Sequence, residues 1–78
     1  SEFDNKEDVK VILDGLMEET VGIKDKDLSY EETLEILNEN GALDTKNTRD
    51  KIVEKLKENG NSDSEIEEKM NKIYSKIK

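Results

Sequence analysis

Three observations predict an all-α fold, a small four-helix bundle. Apolar residues recur at spacings of three and four in four separate segments, the period of an amphipathic helix. Each segment is bounded by residues that start or stop helices, with Ser, Thr or Asn ahead and, for the first three, Gly behind. Proline is absent throughout, and the stretches between segments are short enough for the turns of a bundle. A three-helix bundle with a frayed terminal helix is the alternative architecture.

The first helix is predicted from about Asn5 to Val21, with Val9, Ile12, Leu13, Leu16 and Met17 on one stripe and Gly22 closing it. Asp4, Glu7 and Asp8 lie near its start, where unpaired amides favour negative charge. Gly15 falls off the stripe beside Val11 and costs about 1 kcal/mol relative to alanine, a cost that close approach by another backbone would explain.

The second helix is announced by Leu28-Ser29-Tyr30-Glu31-Glu32, in which Ser29 caps the amide three residues on and Glu32 reaches back to the Ser29 amide. Tyr30, Thr33, Leu34 and Leu37 form its inner stripe, and Gly41 ends it. Ile36 points away from that stripe, so it either meets a third element or is exposed. Leu43 is the one large apolar residue of the following polar stretch and is expected to tuck back against the preceding helix.

Asn47 or Thr48 is the expected cap of a third helix, whose core face is Ile52, Val53 and Leu56 and which stops at Asn59-Gly60. The fourth starts at Ser62 or Ser64, with Ile66, Met70, Ile73, Tyr74 and Ile77 as its stripe. Its acids, Asp63, Glu65, Glu67 and Glu68, come first, and its lysines, Lys69, Lys72, Lys76 and Lys78, come last. That order complements the helix dipole without any ligand.

Composition narrows the function. With 31% apolar and 44% charged residues the chain lies near the border of disorder, and only the placement of its apolar residues argues for a fold. At 78 residues it supports one domain, expected to span 4–78. Ser1-Glu2-Phe3 carries no initiating methionine and reads as a cloning remnant on a piece of a longer protein. Cysteine, histidine and tryptophan are absent, so disulfides, thiolate or imidazole zinc sites and histidine acid-base chemistry are excluded, and no cofactor is expected. No run of eighteen apolar residues and no signal-like opening occurs, so a soluble protein with no membrane partner is predicted.

Candidate chemical sites fail on their own spacing. Asp25, Asp27 and Ser29 alternate like the start of an EF-hand loop, but Tyr30 stands where glycine makes the turn and Ile36 where glutamate closes the cage. The adjacent pairs Glu18-Glu19, Glu31-Glu32 and Glu67-Glu68 do not face each other on a helix, and no cleft exists to shift their pKa values. The serines sit at caps or termini with no base beside them. A non-catalytic chain is expected.

Charge divides the chain unequally. Residues 1–41 hold thirteen acids against four lysines, a balance of −9, whereas residues 42–78 hold eight acids against nine basic residues, a balance of +1, which together make the net −8. The first half repels phosphate. Any nucleic-acid contact must therefore use Lys46, Arg49, Lys51, Lys55 and Lys57, where lysines alternate with Asp50, Glu54 and Glu58 as on an ordinary solvated helix.

The segment from Leu28 to Leu56 is a capped helix ending in Gly41, then Ala42-Leu43-Asp44-Thr45-Lys46-Asn47, then Thr48-Arg49 opening a helix that closes Glu54-Lys55-Leu56. It resembles the helix-extension-helix unit of the SAP and LEM families over residues 28–57. The resemblance implies either DNA binding through Lys46, Thr48, Arg49 and Lys51, or a protein partner held by the turn and the same helix. The chain departs from both families, lacking the glycine turn of the first and the Gly-Pro of the second. Read without the resemblance, Thr48 is an N-cap and Arg49 a surface salt-bridge partner.

Taken together, these readings predict a protein-interaction module, a docking or adaptor domain whose acidic first half meets a basic partner protein. Val11, Ile36, Lys46, Thr48, Arg49, Lys51 and Lys55 are its candidate contact residues. The alternatives are nucleic-acid binding through residues 45–57 and an acidic mimic of nucleic acid. Self-association is also open, because the Ile66-to-Ile77 stripe could pack against a second copy.

Overall fold

A computed structural model of the chain describes residues 2–75 and 77, with side chains from residue 8 onward. Four helices follow one another: α1 (Glu2–Thr20), α2 (Tyr30–Glu39), α3 (Lys46–Glu58) and α4 (Asp63–Tyr74), and no strand occurs among the described residues. The expected remnant at residues 1–3, the side chains of Asp4 and Glu7, and the terminal lysines Lys76 and Lys78 lie outside what is described in full.

α1 begins earlier than its apolar stripe requires and is the helix on which the bundle is built. It packs against both α2 and α3, and α4 packs on α3. Val9, Ile12, Leu13, Leu16 and Met17 face inward as their spacing demands, and they meet Leu34, Leu37, Leu43, Ile52, Leu56, Ile66 and Ile73 in one core. The Cα radius of gyration is 11.6 Å. A folded chain of this length is expected near about 11.5 Å, so all four helices share that core.

The punctuation read in the sequence is physically present. Ser29 and Ser62 each accept from the amide three residues on while Glu32 and Glu65 return the bond, completing two capping boxes. α2 and α3 end in the same motif. The Ala42 amide donates to the Leu37 carbonyl at 2.9 Å and Asn61 to Leu56 at 3.1 Å. Gly41 at φ +65° and Gly60 at φ +86° supply the left-handed residue that this closure needs.

Two details differ from expectation and two bear on what it left open. The cap of α3 is Thr45, not Asn47 or Thr48: its extended backbone (φ −125°, ψ 152°) lets its hydroxyl accept from the Thr48 amide. Thr48 is consequently one turn inside the helix with its side chain buried. Ile36 is half-buried against the core, the first of the two settings expected of it. Within the α4 stripe Ile66 and Ile73 are consumed by the core, whereas Met70, Tyr74 and Ile77 are half-buried. Lys69, read as one of the closing lysines that complement the α4 dipole, lies before the last turn and is only 5% exposed.

Candidate functional site

The candidate contact residues of α3 do not form one surface. Residues two apart on a helix point about 200° apart, and Arg49 and Lys51 show the consequence. Arg49 turns toward α4, where its guanidinium lies 3.9 Å from the centre of the Tyr74 ring and donates to Asp44 at 2.8 Å. Tyr74 in turn donates its hydroxyl to the Leu43 carbonyl at 2.7 Å, fastening the α2–α3 connection to α4. Burial pushes the Tyr74 hydroxyl above its ordinary pKa, Asp44 adds to the shift, and Arg49 opposes it.

Lys51 turns the other way and donates to Glu19 of α1 at 2.8 Å, which holds the Glu19 carboxyl below its ordinary range. Lys46 faces solvent and donates to Asp50 at 2.7 Å, an exposed pair one turn apart; that bond raises the Lys46 pKa. Thr48 is buried beneath the Thr45 cap. Of the four residues that the SAP resemblance implies for DNA, one is internal and three hold carboxylates.

Val11, Lys51 and Lys55 are brought together. They line a groove of about 240 Å³ between α1 and α3, with Gly15, Glu19 and Glu58 among its other walls. Val11 is 66% exposed and is the one exposed large apolar residue among those described. A Cβ added at Gly15 would meet nothing within 4 Å, so no backbone within the molecule approaches it.

A second groove, of about 310 Å³, opens between α2 and the end of α4. Glu31, Glu35 and Asn38 form one wall, with Leu34, Ile73 and Ile77 as apolar lining. The α2 side is uniformly acidic. Glu31, Glu32, Glu35 and Glu39 are all exposed, and the helix carries no basic residue. Glu31, Glu35 and Glu39 stand four residues apart and so form one column along its face. The Ser29 amide and hydroxyl hold the Glu32 carboxyl below its ordinary value, which fixes that charge at the head of α2. Sequence reasoning gave the acidity of this half but did not isolate the column, although the four-residue spacing was there to read.

The other arrangement missed is polar and part-buried. The Lys69 ammonium donates to both oxygens of Asp8, at 3.1 and 3.0 Å, and to the Asn61 side chain; Asn61 also donates to Asp8 at 3.0 Å. This triad joins α1 to α4 and to the turn before it. Its signal was Lys69 falling three residues after Ile66 and four before Ile73, on the inner stripe. No buried side-chain nitrogen or oxygen among the described residues lacks a partner, so the triad is complete without a ligand.

The EF-hand alternation resolves into local structure, with Asp25 accepting from the Asp27 amide at 2.9 Å and Ser29 capping α2. Among the described residues no His, Cys, Asp or Glu side chains gather into a group able to hold a metal ion. No helix among them is long and apolar enough to cross a membrane. No family model matches the chain, and neither a curated protein nor a solved structure is similar to it.

Proposed function

We propose that this chain is a non-catalytic helical docking module whose acidic first half meets a basic partner protein. The observation that supports it is the α2 column of Glu31, Glu35 and Glu39. These three carboxylates are exposed, no basic residue shares their helix, and none of the ion pairs between described residues engages them. Like charges one turn apart destabilise a helix by about 0.2–0.5 kcal/mol per pair, so the column is a cost to the fold that a cationic partner would relieve. Beside it the α2–α4 groove offers half-buried Ile77, over the core residues Leu34 and Ile73, as the apolar contact for an anchor residue. Affinity would come from that anchor, and encounter rate and partner choice from the carboxylates.

The test is a residue-resolved NMR titration with a lysine-rich amphipathic peptide, run in parallel with a short DNA duplex. The peptide is expected to shift amides of residues 31–39 and 73–77, with weaker binding as salt rises. Duplex-induced shifts confined to residues 45–57, with no response to the peptide, would overturn this reading in favour of nucleic-acid binding.

A further inference from the structure

The α1–α3 groove joins two features that cost the fold and that nothing within the molecule explains. Val11 leaves its side chain in water. Gly15, on the same face one turn later, is an interior helix glycine with open space where a side chain would stand. We propose that this groove is a self-docking surface, in which two copies of the chain pair through α1 about a two-fold axis.

The geometry is self-complementary. Residues four apart lie about 6 Å apart along a helix axis. A two-fold axis passing midway between them sets Val11 of one copy over Gly15 of the other, and the same operation sets the reverse. A protruding side chain and a missing one, a turn apart, thus serve as knob and hole for each other. The groove also suits a second copy in charge: Glu19 and Glu58 balance Lys51 and Lys55, so a neutral patch occurs on a chain of net charge −8. Isologous contacts require such balance, because each surface meets its own image.

Opposing association are the net charge and the exposed Glu18 beside the patch. Both are screened by salt, so this association strengthens as ionic strength rises. Docking of a basic partner on α2 weakens under the same change. The two readings therefore fail separately.

Sedimentation equilibrium of the whole chain over a range of concentrations, at low and high salt, tests the proposal. The expected result is a mass rising from the 9.0 kDa monomer toward twice that value, more so at high salt. Val11→Asp should weaken association by about tenfold or more while leaving the helical circular dichroism unchanged, because the residue is exposed. Gly15→Gln fills the hole with a better helix former, so it should raise the melting temperature yet abolish association. A monomeric mass under every condition, or association that both variants leave intact, would overturn the proposal.

Discussion

α2 and α3 are neighbouring amphipathic helices of similar length that treat charge in opposite ways. On α3, Lys46 holds Asp50, Arg49 holds Asp44 and stacks on Tyr74, and Lys51 holds Glu19. Its cations are largely occupied in the fold. On α2, four glutamates stand with no cation on the helix, and Glu39 lies in the last turn, where the helix dipole disfavours an acid. The difference teaches that a count of charges does not locate a binding surface. What matters is which charges already have partners, and that distinction moves attention from the basic helix to the acidic one.

The strongest way to sharpen the contrast is to remove a charge that the fold uses. Lys69→Ala strands Asp8 and Asn61, and chemical denaturation should record a loss of about 2–3 kcal/mol, below the fully buried case because Asp8 keeps some contact with solvent. Lys46→Ala, which breaks only an exposed pair, should leave the denaturation midpoint unchanged.

A smaller effect separates the start of α2 from its charged face. Ser29→Ala removes the cap and should cost about 1 kcal/mol, with hydrogen-exchange protection lost first in the opening turn. Loss of protection spread evenly over the bundle would show that α2 does not respond as a local unit.

Smaller still is the acid dependence. Backbone and hydroxyl bonds at Ser29 and Ser62 depress the carboxyl pKa values of Glu32 and Glu65 below the ordinary 4.5. Their contribution is therefore present above 4.5 and lost as pH falls through the lower folded-state values. A Glu32→Gln/Glu65→Gln variant keeps both capping boxes without titrating. The melting temperature of the native chain should fall relative to that variant only below pH 4.5; a gap constant with pH would contradict the assignment.

The smallest expected change has the opposite sign. Glu39→Lys replaces a like-charge neighbour of Glu35 with an attractive one and puts a cation where the dipole favours it. Thermal unfolding should register a gain of about 0.5 kcal/mol, while affinity for a basic peptide falls.

Most of the fold was legible because it is local. Apolar spacing and caps specify helices within a few residues: the box at Ser29 and the closures at Gly41 and Gly60 stand where the sequence placed them, and the box at Ser62 is one of the two starts it left open. Thr45 was overlooked because Asn47 and Thr48 are also good caps, and what decides among the three is the extended backbone of Thr45 and its bond from the Thr48 amide. The site was less legible. The spacing of Arg49 and Lys51 sets them on different faces and that of Lys69 turns it inward, but nothing in the order of residues names Tyr74 and Asp44, Glu19, or an aspartate 61 positions away as their partners. Those partnerships arise from how the helices pack. Val11 and Gly15 stood out from the stripe in the sequence, but their meeting with Lys51 and Lys55 is a product of tertiary structure.

The central claim is that the glutamates of α2, which no ion pair between described residues engages, and not the cations of α3, form the contact surface. Isothermal titration of a lysine-rich amphipathic peptide into the native chain, a Glu31→Gln/Glu35→Gln/Glu39→Gln variant and a Lys46→Ala/Lys51→Ala variant tests it directly. The account predicts that binding is lost in the glutamine variant, which is at least as stable as the native chain, and kept in the alanine variant. Peptide binding that survives all three glutamine substitutions would contradict it.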